Sequence, residues 1–435
     1  MVKNSEIKAL LNPIACACFL IVSQSLGISI LIFATLTWYL LLLMFAKDEY
    51  IIPLFLFFIP FSTVLKVSVN SISFSSIAVI LVFILKCLTH RKTKFSPVLI
   101  LEVLVIVVVT FIASVVNNYG VATSHIMFIF MLVAFPFIAI CTKDKVDFEI
   151  CILYYSLGII IATILALAYV NNSNLLAYIN VFEDDTIVER HCGFYGDPNF
   201  YAAQVITAIG GQIILIDQKN KNKQWNILLL IALIVCGASS VSKSFLLCLV
   251  WLFVAFLLCR FRNGFGKFTK TLVVILLVLI CTFASGIFSN IIDQYLFRFG
   301  MADDAASLTT GRSELWKEYL DFLINNPADL ILGQGYTSVF KGVRKGSHNA
   351  FIQCLYQLGL VGTISFVCWI STLAGSLNKQ KVSFPHFMLL IISCFSMWLG
   401  LDVMFFDDLF LTVLLFAFGS KYIQDKSKLQ ENVYV

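Results

Sequence analysis

The stretch PVLILEVLVIVVVTFIASVV, residues 97–116, decides the class of fold, because it carries one charge, Glu102, and no glycine over its whole length. An α-helix of that length crosses about 30 Å of hydrocarbon. Runs of the same kind recur from end to end. The hydrophobic pattern predicts fourteen candidate spans, at roughly 9–24, 28–46, 50–66, 72–88, 97–116, 124–142, 150–170, 200–216, 225–241, 243–260, 270–288, 350–373, 385–400 and 404–421. Composition agrees: 60% hydrophobic residues, 13% charged, 41 phenylalanines and a mean hydropathy of +0.93 exceed what a soluble core of 435 residues could bury. The expected fold is an all-α polytopic transmembrane bundle of about 12–14 helices, a single membrane domain over 1–435. The spread in number has two sources. Spans 9–24 and 28–46 lie in one apolar run broken only by Ser23, Gln24, Ser25 and Gly27, and 50–66 is interrupted by Pro53 and Pro60. The first apolar run continues past the length of a signal-peptide core and has no small-residue cleavage site, so no signal peptide is expected.

Basic residues set orientation, since short loops rich in Lys and Arg stay in the cytoplasm. With the N-terminus inside, all but nine of the 30 cations fall on the inner side. The nine are Lys66, Arg190, Lys243, Arg298, Arg312, Lys317, Lys341, Arg344 and Lys345, most of them in two long outer loops, 171–199 and 289–349. Both termini are therefore expected in the cytoplasm. The net charge of +5 reflects this topology, and scattered loop cations give no surface for nucleic acid. The 13 cysteines lie mostly inside apolar spans, which implies neither a disulfide framework nor a CxxC metal pair.

The two outer loops hold the informative polarity. The first contains ERHCGFYGDPN at 189–199, in which Gly196, Asp197 and Pro198 read as a turn and Asn199 as the N-cap of the next helix. Arg190 has no evident structural duty there. The second interrupts the apolar pattern most strongly, with GRSELW at 311–316, GQGY at 333–336 and SHN at 347–349. Between Ser313 and Asn325, Leu315, Trp316, Tyr319, Phe322 and Leu323 make an apolar stripe opposite Glu314, Lys317, Glu318 and Asp321, which predicts an amphipathic helix with Trp316 as an interfacial anchor. Asn326 and Pro327 should stop it, and Gly333 and Gly335 permit a tight turn.

His348 stands where the chain re-enters the apolar phase, with Ser347 placed to cap the following helix. A helix N-terminus favours phosphate and lowers the pKa of a nearby imidazole, and a neutral imidazole accepts a proton from a hydroxyl. Lys243, in SSVSKS at 239–244, is an ionisable group at a membrane boundary, either functional or snorkelling. Glu102 and Asp402 lie near helix ends without an assignable partner. EDD at 183–185 and the pair Asp303 and Asp304 are adjacent loop carboxylates, which are usually solvated, and no metal site is assigned.

The ordered set RHCGFYGDPN (190–199), SVSKS (240–244), GRSELW (311–316), LGQGY (332–336) and SHNAFIQCLYQLGLVG (347–362) resembles the integral-membrane O-antigen polymerase and O-antigen ligase superfamily. The N-terminal third is similar only as apolar helices. The resemblance implies a glycosyltransferase C-like fold in the bacterial inner membrane and a periplasmic cavity for glycans on undecaprenyl pyrophosphate. It implies a metal-independent glycosyltransferase without cofactors, partnered by membrane lipid and a chain-length regulator. By the same resemblance Arg190 and Arg312 would bind pyrophosphate and His348 would activate or orient the acceptor hydroxyl, with Lys243, Asn199 and Asn349 as further binding residues. Lys243 stands where relatives often have arginine, which keeps the charge and loses the bidentate fork. The likeness of SHNAFIQCLYQLGLVG favours a Wzy-type polymerase; a ligase acting on lipid A core is the alternative. A transporter or flippase would carry internal repeats and charge at mid-membrane, and the sequence has no convincing repeat.

Overall fold

The structure, a computed structural model, describes residues 4–68, 71–91, 93–120, 122–176, 178–179, 190–218, 223–262, 264–285, 289–300, 311–337, 339–377, 382–402 and 408–431. The helices among them are α1 (Asn4–Leu26), α2 (Ser29–Met44), α3 (Asp48–Phe58), α4 (Phe74–Thr89), α5 (Pro97–Val116), α6 (Thr123–Thr142), α7 (Phe148–Ala168), α8 (Pro198–Asp217), α9 (Lys223–Ala238), α10 (Lys243–Arg262), α11 (Phe265–Ser285), α12 (Ser289–Gly300), α13 (Arg312–Asn325), α14 (Pro327–Leu332), α15 (Ala350–Leu377), α16 (Phe384–Phe395) and α17 (Asp408–Glu431). Each expected span falls on one of them. Helices α1, α5, α6, α7, α8, α10 and α15 are long and apolar enough to cross a bilayer, and α2, α4, α9 and α16 are shorter apolar helices. The chain is an all-α multi-pass membrane protein.

Two joins left open by the sequence now have a physical form. The first apolar run is two helices, broken at Gly27, whose φ of 66° suits a residue without Cβ. Gln24, just before that break, donates from Nε2 to the carbonyls of Val64 (2.9 Å) and Lys66 (2.7 Å). Span 50–66 is shorter than expected: α3 ends at Phe58, and Pro60 lies in a 3-10 turn, Ile59–Phe61.

Helix α8 is the central column. Its residues from Gln204 to Asp217 are all buried, and Gly210 and Gly211 let Ser393 of α16 and Ile152 of α7 approach its backbone. Helices α9, α10 and α16 also pack around it. At one end of this group Asp217 accepts from His386 Nε2 (2.8 Å) and pairs with Arg260 (3.3 Å). At the other end lie Asp197, Lys243 and the 3-10 turn Ser396–Leu399 that follows α16.

The amphipathic helix is α13, and Leu315, Tyr319 and Leu323 are its buried residues. They form a small separate core with Phe340 and Tyr356, in which Tyr319 stacks on Phe340 with ring centroids 3.9 Å apart. Phe340 belongs to a two-stranded antiparallel ribbon, β1 (Val339–Phe340) and β2 (Val343–Arg344), which the sequence reading did not anticipate. The glycines expected to turn are at φ 78° (Gly333) and 87° (Gly335). Their role is wider than a turn. Helix α15 is broken at Gly359 (φ 62°), and the N–H groups of Gln334 and Gly335 donate to the carbonyls of Tyr356 (2.7 Å) and Gln357 (3.0 Å). A Cβ on Gly333 would lie 2.5 Å from the Gly359 nitrogen, so the two backbones touch.

Candidate functional site

Helix α8 starts the site. Asp197 is its N-cap, accepting at Oδ1 from the N–H of Asn199 (2.6 Å) and Phe200 (3.3 Å), with Pro198 in the first turn. Asn199 is therefore not the cap that the sequence suggested. Its Oδ1 instead accepts from Ser242 Oγ (2.8 Å) and Arg190 Nη2 (3.3 Å). Arg190 also has the structural duty missing from the sequence reading: it is buried, and its Nε donates to the Ser240 carbonyl at 3.1 Å, tying the loop before α8 to the turn between α9 and α10.

That turn is strained. Val241 is fully buried at φ 45°, a conformation costly for a β-branched residue, and its carbonyl accepts from Arg298 of α12. Lys243 follows as the first residue of α10, its ammonium 5.5 Å from the centre of the Phe299 ring. Arg312 opens α13 and donates from Nη1 to the Gly400 carbonyl at 2.7 Å. Arg190, Lys243, Arg298 and Arg312 all line one cavity of about 720 Å³, and Asp197 is the one carboxylate lining it among the described residues. Leu246, Leu247, Val250 and Trp251 of α10 form an apolar wall. Burial presses the Arg312 pKa below its ordinary value; Asp197 opposes that and Arg298 reinforces it. The arginine stays charged.

Cations ordinarily stabilise helix C-termini, yet Lys243 and Arg312 stand at the first residues of α10 and α13, beside the start of α8. Helix dipoles and side chains thus add to one positive potential, the arrangement that binds phosphate.

His348 lies outside this cavity. It lines a neighbouring pocket of about 390 Å³ with Gly311, Arg312, Glu314, Leu315, Glu318 and Lys345, and Arg312 is common to both. Its φ of 51° is left-handed. The surrounding bonds hold it so. Ser347 N–H donates to Gln353 Oε1 (3.0 Å), the Ser347 carbonyl accepts from Trp316 Nε1 (3.0 Å), and Tyr319 OH donates to the Lys345 carbonyl (2.6 Å). Trp316 is thus a strut of this turn and a cavity wall rather than only an interfacial anchor. The cap of α15 is Asn349, not Ser347. Its Oδ1 accepts from Phe351 (3.0 Å) and Ile352 (3.2 Å), while its Nδ2 donates to Leu399 (3.1 Å), so its observed bonds hold the site's frame. Partial burial lowers the imidazole pKa below 6.5, as do the charges of Arg312 and Lys345, with Asp197 opposing. At neutral pH such a ring is a proton acceptor.

Of the residues singled out from sequence, Arg190, Asn199, Lys243 and Arg312 share the cavity and His348 adjoins it through Arg312. Sequence reasoning missed Arg298 as a site residue. The signal was available, since Ile291, Tyr295 and Arg298 recur at i, i+4 and i+7 in α12, which puts the arginine on the same face as the apolar residues that pack on the Val241 turn. Glu102 has a partner after all, accepting from Thr372 of α15 at 2.7 Å. EDD at 183–185 and Asp303 with Asp304 lie outside the described residues. Among the described residues no cluster of three His, Cys, Asp or Glu side chains is placed to hold a metal ion.

Among curated proteins none matches this chain. Residues 227–367 match a family model described as O-antigen ligase, a segment that runs from α9 into α15 and holds Lys243, Arg298, Arg312 and His348. That segment, about a third of the chain, is thereby similar to the O-antigen ligase family.

Proposed function

We propose that the protein is a Wzy-type polymerase in the bacterial inner membrane, moving a growing glycan from undecaprenyl pyrophosphate onto the terminal sugar of a second lipid-linked repeat unit. In this reading loops 171–199 and 289–349 face the periplasm and both termini are cytoplasmic. The observation that carries it is the shared Arg312, which joins a cavity ringed by four cations to a polar pocket containing His348. The first suits a pyrophosphate beside a lipid chain, the second a hydroxyl to be deprotonated.

The chemistry balances within these groups. The acceptor oxygen attacks the anomeric carbon, His348 takes its proton, and the bond from that carbon to the phosphate oxygen breaks, leaving both electrons on the pyrophosphate. Arg190, Lys243, Arg298 and Arg312 neutralise the departing charge, and the N-terminus of α8 adds to the field. Arginine forks match phosphate oxygens in pairs. The reading assigns no metal and no cofactor.

A ligase reading is favoured by the description of the matched family, and the same site serves it. Glycan length in cells carrying His348→Ala or Arg312→Ala separates the two. Loss of the polymer ladder with one repeat unit still attached to lipid A core is the polymerase result, whereas loss of all attached glycan is the ligase result. Accumulation of lipid-linked units on the cytoplasmic side would overturn both in favour of transport. A separate chain-length regulator acts as partner in this scheme.

A further inference from the structure

The two cavities that meet at Arg312 differ in charge. Around the larger one, among the described residues, four cations face a single carboxylate, Asp197. Around the smaller one Arg312 and Lys345 are balanced by Glu314 and Glu318, both on α13. A dianionic pyrophosphate belongs in the first and gains nothing from the second.

Glu314 stands in the first turn of α13, where a carboxylate complements the helix dipole, but no such reason places Glu318. The two stand four residues apart on one helix, a spacing at which like charges repel and weaken the helix. Glu318 lies 3.9 Å from Lys345, and both side chains are about half exposed (49% and 47%), so water has already weakened that pair and a ligand can replace it. Glu314 is exposed on the same wall. Carboxylates accept from neighbouring hydroxyls and Lys345 can donate to a ring or hydroxyl oxygen, which is how a pocket reads a sugar. A volume of about 390 Å³ is at the small end for small-molecule sites.

We infer that the His348 pocket is the acceptor subsite, and that Glu314 and Glu318 select a terminal sugar bearing no acidic group. The inference rests on the glycosyl-transfer reading for the role of His348 but adds residues and a substrate class to it. A carboxylated or phosphorylated terminal sugar gains no net attraction in a pocket whose two cations are already balanced, and its acidic group, having no proton to donate, leaves the glutamate oxygens it faces unpaired. A neutral sugar hydrogen-bonds to the same oxygens and presents a hydroxyl to the imidazole.

The test uses the full-length protein in nanodiscs and two kinds of probe. Inorganic pyrophosphate, followed by calorimetry, reports the four-cation cavity. The methyl glycosides of glucose, N-acetylglucosamine and glucuronic acid, followed by saturation-transfer NMR, report the pocket. The neutral glycosides should bind wild type and bind about tenfold more weakly to Glu314→Ala/Glu318→Ala, the effect of losing charge-assisted hydrogen bonds. The glucuronide should bind only after Glu314→Lys. Pyrophosphate binding to the same double variant confirms that it is folded. Equal binding of glucuronide and glucoside to wild type, or undiminished glucoside binding to the folded double variant, overturns the acceptor assignment. Failure of wild type to bind pyrophosphate, with the glycosides behaving as expected, instead overturns the donor half of the functional reading.

Discussion

Replacing Gly333 by alanine tests the contact on which the outer part of the site stands. Three effects add at that position. The residue sits at φ 78°, and the left-handed conformation costs an L-residue about 1–2 kcal/mol. The new Cβ would be 2.5 Å from the Gly359 nitrogen and closer still to the Gln357 carbonyl, both backbone atoms that no rotamer can move. Relief of that clash separates loop from helix, which endangers the bonds from Gln334 and Gly335 to Tyr356 and Gln357, together about 1–3 kcal/mol. The sum is about 2–5 kcal/mol before the clash itself. At about 2 °C per kcal/mol, the lower figure for larger domains, the midpoint of thermal unfolding in detergent should fall by roughly 4–10 °C. Gly342→Ala is the control, because Gly342 also has positive φ (81°) but no heavy atom within 4 Å of an added Cβ. It carries the backbone cost alone. If Gly333→Ala unfolds no earlier than Gly342→Ala, the close approach of loop and helix is wrong. Glycan transfer should also fall in Gly333→Ala more than in the control, since α15 begins next to His348.

Other outcomes concern the site directly. Trp316→Phe keeps the ring and deletes the donor to the Ser347 carbonyl, a loss of about 1 kcal/mol; kcat should drop by roughly fivefold with KM for the donor unchanged, and an unaltered kcat would remove Trp316 as a strut of the His348 turn. Because burial, Arg312 and Lys345 hold His348 below its ordinary pKa, its neutral, proton-accepting form prevails at pH 7. The pH profile of kcat/KM should therefore be flat above about pH 6.5 and fall only below it, and Lys345→Gln should move that acid limb upward. Arg298→Ala should weaken binding of inorganic pyrophosphate about tenfold, the value of one charged hydrogen-bond partner, and unchanged affinity in calorimetry would exclude it from the donor cavity.

The helices were legible because their cause is local. A run such as 97–116 has nowhere to go but hydrocarbon, whatever the rest of the chain does. The amphipathic stripe of α13 and the glycine turn after it are likewise written in short windows. What the sequence concealed depends on distant partners. Asn199 and Asp197 are both good capping residues two positions apart, and only the pull of Arg190 and Ser242 on Asn199 assigns the cap to Asp197. The break at Gly359 sits within an apolar stretch that reads as continuous helix, and it becomes intelligible only when Gln334 and Gly335 arrive to take the Tyr356 and Gln357 carbonyls. His348 and the arginines were expected around one site, yet they line two adjoining spaces that share Arg312.

Placing Lys243 and Arg312 at the first residues of their helices has a practical side. Four like charges around one cavity repel, and an anion between them turns that repulsion into attraction, so ligand occupancy and resistance to unfolding are linked. Free anion at a hundred times its dissociation constant adds about 2.7 kcal/mol of stability. Pyrophosphate in the extraction buffer should then protect the protein through purification, and a screen of anions by melting temperature would rank donor head groups before any sugar is known.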